Sequence, residues 1–228
     1  MMRYALTIFL SACLLFQIQP LIAKKILPWF GGGPAVWTTC MLFFQLLLLL
    51  GYTYAHVLSQ YDTKTQRWIH ILLLIAALLT LPIEPSVDLK PVDSDFPSLR
   101  ILTLLALSVG LPYLLLSTTG PLVQRWFAMN YPNRSPYRLF ALSNAGSLLA
   151  LLSYPIVFEP YLSVHSQMIG WSMAFIVYAC LSASCAWTVT NNNLDRFATR
   201  QTSDSSKGFA GIRGRDLAFT PRRSLLLL

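Results

Sequence analysis

The sequence predicts an all-α fold, a polytopic bundle of about six transmembrane helices, and two observations support this prediction. The first is composition: 55% of the 228 residues are hydrophobic and only 11% are charged, whereas soluble domains carry roughly 25% charged residues. The second is spacing, because the charges stand in groups separated by six charge-free stretches. Five of these stretches reach the roughly 20 residues that cross a bilayer. Too few charges remain to cover a water-facing surface, which argues against a soluble protein.

The predicted spans alternate with short polar connections and run over residues 4–23, 35–58, 67–83, 100–122, 139–158 and 167–188. The first span follows Arg3 and has the length of a retained helix. A cleaved signal peptide is the alternative, but Gln17, Gln19 and Pro20 stand where a cleavage site normally has small neutral residues. The GGGP sequence at 31–34 predicts a tight turn before the second span.

The third span is the shortest, because the charge-free gap from 68 to 83 has only 16 residues. To cross a bilayer it must recruit neighbours such as Thr65 and Gln66, or lie tilted with its charged ends reaching the interface.

Two later spans contain residues that affect helix geometry. Gly110 and Pro112 lie inside the fourth span and predict an interrupted helix, and the hydroxyl groups at 117–119 can bond the carbonyl groups that a proline leaves free. In the fifth span, the small residues at 144–147 predict a close approach of a neighbouring helix.

The placement of Lys and Arg predicts that both termini lie in the cytoplasm, because cytoplasmic loops retain positive charge. With six spans, the side of the N-terminus carries 13 of these residues and the other side carries 4. Seven of the 13 belong to the tail after the last span, and without the tail the ratio is 6 to 4.

Residues 189–228 differ abruptly from the spans, since they are rich in Ser, Thr, Gly and Arg and have no helical periodicity. This composition predicts a basic, disordered cytoplasmic tail. The tail contains no known nucleic-acid-binding motif, so no nucleic-acid partner is expected. The connection at 123–138 is basic and aromatic, which is typical of segments at the head-group level of a bilayer.

Polar side chains at membrane depth are costly, so each is a candidate for function, as are helix breakers. For the buried amides the alternative is an ordinary hydrogen bond between helices. For Lys24 the alternative is that its side chain only extends to the membrane interface. For His56 the alternative is that its ring makes a hydrogen bond and binds no metal. The candidates are Gln17, Gln19, Lys24, Gln45, His56, Gly110, Pro112, Gln124, Arg125 and Asn144.

Catalytic and cofactor sites are not predicted. The sequence lacks a Gly-rich strand-to-helix turn, an acid pair within a span and a Ser/His/Asp set. The four cysteines lie in apolar spans without metal-ligand or redox spacing. We therefore expect no enzyme activity, cofactor or metal, and the lipid bilayer is the expected partner.

Four stretches resemble the membrane part of bacterial spermidine synthase-like proteins: FQIQPLIAKKILPWFGGGPAVWTTCMLFFQ at 16–45, GYTYAH at 51–56, LSTTGPLVQRWF at 116–127 and YRLFALSNAGSLLALLSYPIVFEP at 137–160. In that family a major-facilitator-like helical region precedes a soluble aminopropyltransferase-type domain. The resemblance covers about residues 4–187. It implies a bacterial inner membrane and half of a major-facilitator-like fold, in which six helices form two three-helix repeats. It also implies truncation before the synthase domain, and therefore no polyamine synthesis.

Three functions follow as expectations. The first is a transporter-like membrane domain for a small polar or cationic solute, completed by a homodimer partner or by a missing second half. The second is a non-transporting anchor or regulatory module for a soluble partner, which the lack of an ion-coupling acid within the spans favours. The third is a non-functional truncated fragment.

Overall fold

The computed structural model describes residues 1–85 and 97–189, and within them the chain forms six helices joined by short connections. The helices are α1 Met2–Phe30, α2 Pro34–Leu58, α3 Thr63–Leu78, α4 Pro97–Asn130, α5 Tyr137–Tyr161 and α6 Val164–Trp187. The described part contains no strand, which confirms the predicted all-α fold class. Of the predicted tail, all residues after Val189 lie outside the described part.

Apolar side chains cover the outside of the bundle as well as its core. On α2 and α5, for example, Leu49 is 63% exposed and Leu148 is 58% exposed. Soluble monomeric proteins rarely expose apolar surface to this extent. Five helices (α1, α2, α4, α5 and α6) are long and apolar enough to cross a membrane, as the composition predicts.

Hydrogen bonds at the two ends show that successive helices run in opposite directions. At the end that holds Met1, called the amino end here, Tyr4 Oη bonds Thr188 Oγ1 at 3.0 Å and accepts from Asn130 Nδ2 at 2.6 Å. At the opposite end, called the distal end, Lys24 of α1 pairs with Glu159 of α5 at 3.0 Å. The start of α1 therefore meets the ends of α4 and α6, which is the up-and-down order expected of six spans.

α3 begins earlier than the predicted span 67–83. Asp62 caps its first turn, because the carboxylate accepts the backbone N–H groups of Lys64 and Thr65, each at 3.1 Å. Hydrogen bonds from the Thr65 side chain and backbone also lower the pKa of the Asp62 carboxyl below its ordinary value. The cap brings Thr65 and Gln66 into the helix, as the short charge-free gap requires.

α3 ends at Leu78, since Pro82 has no N–H group to bond the Leu78 carbonyl. Its 16 residues span about 24 Å, less than the roughly 30 Å hydrocarbon core of a bilayer. A non-helical segment continues in the same direction, and the N–H of buried Ile83 donates to Ser172 Oγ near the start of α6 at 3.4 Å. α3 and this segment together extend from one end of the bundle to the other.

The last three helices repeat the arrangement of the first three. α2 and α5 are both 25 residues long, and the starts of α3 and α6 follow them at Thr63 and Val164. The packing is repeated as well. α1 packs against the second and third helices of the other half, α5 and α6, and α4 packs against α2 and α3. Each half has three helices, so the halves begin at opposite ends of the bundle, as in inverted-repeat membrane proteins.

Two helices contain a π-helical turn beside a proline. In α4 the turn covers Ala106–Gly110 and stands directly before Leu111 and Pro112; in α5 it covers Tyr154–Phe158 and includes Pro155. A proline ring in a regular helix clashes with the carbonyl four residues earlier, and the wider turn relieves that clash. The interruption predicted at Gly110 and Pro112 is therefore present as a π turn.

The hydroxyl groups near this interruption have a different role from the predicted one. At positions 117–119 they donate to the carbonyl oxygens of Leu114 and Leu115, one turn earlier, at 2.7–3.1 Å. Ser and Thr commonly bond the preceding turn of their own helix in this way. They do not bond the carbonyl group that Pro112 leaves free.

Small residues allow α1 and α5 to approach closely, as residues 144–147 predict. Gly146 is buried against α1, and a Cβ atom placed there would lie 2.9 Å from the Phe9 carbonyl oxygen. Cys13 Sγ donates to the Gly146 carbonyl oxygen at 3.4 Å. The predicted turn at 31–34 is also present, with Gly31 at φ 72°, a conformation that glycine adopts without strain.

Candidate functional site

A cavity of about 230 Å³ lies between α1, α5 and α6, towards the distal end. α1 supplies one face, on which Leu14, Gln17 and Leu21 are three and four residues apart. α5 supplies the π turn Tyr154–Phe158, whose first and last residues line the cavity. π turns inside α-helices are frequent at functional sites.

α6 completes the wall, and Trp171 joins it to α1 because its indole Nε1 donates to the Leu14 carbonyl oxygen at 3.0 Å. Gly170 also lines the cavity and is exposed, and a Cβ atom placed there would meet no atom within 4 Å apart from those of its chain neighbours.

Two buried polar atoms of the cavity lining have no hydrogen-bond partner in the described part of the chain. The first is Oε1 of Gln167, a residue only 5% exposed. Its Nε2 donates to the carbonyl oxygens of Phe158 and Leu162 at 3.1 and 2.9 Å, and this leaves Oε1 as a fixed acceptor. The second is Oη of Tyr154, which is 7% exposed. Gln17 adds a third polar side chain, with no bond to any other described residue.

These groups define what the cavity can bind. A buried acceptor without a partner costs about 1–3 kcal/mol, so a molecule that brings N–H or O–H donors to Gln167 is favoured. The lining has no charged side chain and includes the aromatic residues Phe158 and Trp171, and aromatic rings attract cations. The volume is below the roughly 300–1,000 Å³ of pockets for drug-sized ligands. The chemistry therefore suits a small polar solute that is neutral or cationic.

Ion pairs surround the distal end beyond the cavity. Lys24 pairs with Glu159, while Lys25 and His165 both approach Glu84, at 3.3 and 3.4 Å. The pairs are partly exposed, so each stabilises the fold by about 0–1 kcal/mol at most. Lys24 was predicted as a candidate site residue, and the structure places it in this ion-pair group rather than in the cavity lining.

The other candidates on α1, α2 and α4 are dispersed. Gln19 Nε2 donates to Tyr113 Oη at 3.0 Å and joins α1 to α4. His56 is exposed at the end of α2, and its ring Nε2 lies 3.2 Å from Gln60 Nε2. Arg125 donates to the Ser59 carbonyl oxygen at 2.9 Å. Only Gln17 among the predicted polar residues lines the cavity.

The remaining amides differ from the predicted hydrogen bonds between helices. Gln45 and Asn144 point outward from α2 and α5, and both are exposed. Gln124 is half-buried on α4. Within residues 1–85 and 97–189, none of the three side chains makes a hydrogen bond to another residue.

A polar network at the amino end involves residues that were not among the predicted candidates. Trp126 Nε1 donates to Gln66 Oε1 at 2.9 Å, and Gln66 Nε2 donates to the Tyr61 carbonyl oxygen at 2.8 Å. One turn further along α3, His70 Nε2 lies 3.0 Å from Ser182 Oγ on α6. All of these side chains except Tyr61 are buried. The sequence signal that could have predicted this network is the four-residue spacing of Gln66 and His70, which places both side chains on one face of α3.

Comparisons with family models, curated proteins and solved structures found no match to this chain. Among the described residues, no group of three or more His, Cys, Asp or Glu side chains is placed to hold a metal ion.

Proposed function

We propose that this protein is a transporter-like membrane domain that binds a small polar or cationic solute in the cavity between α1, α5 and α6. One observation carries the proposal: Gln167 and Tyr154 both line this cavity, and each has a buried polar side-chain atom without a hydrogen-bond partner in the described part of the chain. A membrane interior offers few hydrogen-bond partners, so polar groups left unpaired there mark solute or ion pathways by default. The π turn in the cavity wall and the inverted-repeat packing both favour this function.

The outward amides favour a larger assembly. Gln45 on α2 and Asn144 on α5 lie on helices that occupy equivalent positions in the two halves of the bundle. An amide facing lipid has no partner, whereas one facing another helix finds donors and acceptors. We propose that a second copy of this chain or a further set of helices packs on these faces and completes the transport unit. The bacterial inner membrane is the proposed location.

Filling the cavity tests the solute site. Gly170→Leu adds a large side chain at a position that lines the cavity, and Gly120→Leu on α4 is the matched control because an added Cβ also has open space there. Equilibrium dialysis of the purified protein with labelled spermidine, putrescine and sorbitol measures binding, and uptake by proteoliposomes measures transport. We expect saturable binding of at least one compound, reduced tenfold or more by Gly170→Leu and retained by Gly120→Leu.

The outcomes separate binding from transport. Absence of saturable binding for every compound, or equal loss in both folded variants, would overturn the solute site. If the protein is assembled as in the native membrane and binds a solute but does not take it up, it is a solute-binding module that does not transport.

A non-transporting module for a soluble partner is the second candidate. The position of the acidic residues favours it. In the described ranges, the three acids Asp62, Glu84 and Glu159 all lie at the ends of the bundle. No carboxylate in these ranges therefore lies at mid-membrane depth, where it could couple transport to an ion. Cross-linking in intact cells followed by purification of this protein tests it. Recovery of one stoichiometric soluble protein supports the module, and recovery of none contradicts it.

A further inference from the structure

A second and larger cavity, of about 660 Å³, opens at the amino end, away from the proposed solute site. It lies between the start of α1, the end of α4 and the start of α5. Its volume falls in the range of ligand pockets, roughly 300–1,000 Å³. We propose that this cavity binds one anionic phospholipid. The phosphate would lie at Arg134 and Arg138, and part of an acyl chain would lie along the apolar side chains of the lining.

The polar rim of the cavity is basic. Arg134 lies in the connection between α4 and α5, Arg138 lies in the first turn of α5, and both side chains line the cavity beside Ser135. Neither arginine forms an ion pair with an acid in the described part of the chain. Arg134 Nη1 donates only to the weak acceptor Met1 Sδ, at 3.0 Å, among the described residues. Arginine donors match the geometry of phosphate oxygens, and two guanidinium groups without an acid partner favour an anion.

The remaining wall is apolar, and this distinguishes a lipid from a water-soluble anion. Ala5, Phe127 and Leu142 are among the side chains that line it. A free phosphate or other small anion would gain nothing from such a wall, whereas each methylene of an acyl chain that is buried against it adds to the binding affinity.

The depth of the cavity in the bundle agrees with a lipid head group. Phe127 packs against Tyr4 and Tyr131, with ring centroids 5.7 and 5.1 Å apart. Aromatic groups of this kind collect at membrane–water interfaces. Basic pockets between helices at that depth are suited to anionic head groups. The basic loop therefore forms a defined pocket here, and not only a charged surface.

Counting bound lipid molecules tests the proposal. Native mass spectrometry of the purified full chain, released from detergent after titration with phosphatidylglycerol or with phosphatidylcholine of the same acyl chains, measures retention of each lipid. We expect one phosphatidylglycerol to bind more tightly than phosphatidylcholine. Because each arginine near a membrane contributes about five-fold in affinity, Arg134→Gln with Arg138→Gln should weaken phosphatidylglycerol binding about 25-fold.

The matched control removes the same charge outside the cavity. Lys64→Gln with Arg125→Gln changes two cations at the same end of the bundle, and phosphatidylglycerol binding should change less than three-fold. Equal loss in the two double variants would overturn the proposal, because only general surface charge would then be involved. Equal retention of the two lipids by the native chain would overturn it as well.

A third variant separates the lipid from a phosphate ion. Leu142→Trp fills the apolar wall and leaves both arginines in place, so phosphatidylglycerol binding should fall while the net charge is unchanged. If Leu142→Trp has no effect and inorganic phosphate displaces the bound lipid, the cavity is an anion site and the lipid proposal is wrong. Failure here leaves the solute site untouched, since the two cavities share no residue.

Discussion

Several buried polar side chains bond partners on other helices, and the Gln66–Trp126 pair shows how much depends on one contact. The indole N–H of Trp126 is fully buried and has the Gln66 oxygen as its acceptor. In an apolar interior a donor that loses its acceptor retains the full cost of desolvation. The pair therefore fixes the spacing of α3 and α4 more than it adds net stability.

Replacing Gln66 with Leu tests this role. The change leaves the Trp126 N–H without an acceptor and the Tyr61 carbonyl without its donor, so we expect the free energy of unfolding to fall by about 1–3 kcal/mol. Gln60→Leu is the control, because Gln60 is exposed and bonds only His56. Thermal unfolding in detergent, followed by circular dichroism, measures the difference. Adding Trp126→Phe to Gln66→Leu should recover part of the loss.

The contact of α1 with α5 depends on the lack of a side chain at one position. A Cβ atom at 146 would lie 2.9 Å from a backbone oxygen of α1 and 3.2 Å from the Phe9 ring. The backbone oxygen cannot rotate away, so the helices would have to separate. Gly120, on α4, carries no such demand, because it has open space around it.

Comparing Gly146→Ala with Gly120→Ala tests this helix contact. We expect Gly146→Ala to lower stability by about 1–3 kcal/mol, as overpacking of a close contact does. Gly120→Ala should be neutral or stabilise the protein by up to about 1 kcal/mol, since alanine is the better helix former. The temperature of half-unfolding in detergent is the measurement. Equal changes in the two variants would contradict the close-contact interpretation.

The whole bundle is organised as two three-helix halves that begin at opposite ends. Because the halves are inverted, the proposed solute cavity between α1, α5 and α6 draws helices from both of them. Charge is also distributed by end. Within the described ranges the amino end carries six Lys and Arg residues and one acid, while the distal end carries three such cations and two acids.

This asymmetry predicts orientation, which labelling can measure. Single cysteines at Ser59 and Ser135 mark the amino end, and those at Gly32 and Ser163 mark the distal end. In bacterial spheroplasts expressing a variant without native cysteines, a membrane-impermeant maleimide should label the distal positions directly. The amino-end positions should react only after permeabilisation. The reverse pattern would place both ends of the helical region outside the cytoplasm.

Much of the helical organisation was predictable because the bilayer requirement acts locally. A charge-free stretch of sufficient length must become a helix in an apolar solvent, since every backbone N–H and C=O group has to be bonded within the segment. α2, α5 and α6 begin and end within three residues of the predicted spans. α1 and α4 continue seven and eight residues past the predicted ends, to Phe30 and Asn130. α3 begins four residues and ends five residues earlier than predicted, because Asp62 and Pro82 set its ends. The repeated PL pair at 20–21 and 121–122 was too short a signal to reveal the two halves.

By itself, the sequence determined that this chain is an all-helical membrane protein with a break at Gly110 and Pro112 in its fourth helix. Only the tertiary structure decided which polar groups are paired. Gln17, Gln45 and Asn144 look alike in the sequence, yet one lines a cavity and two face outward. The physical reason is that hydropathy depends on residue type and position along the chain, whereas the cost of a polar group depends on the partner that another helix brings to it.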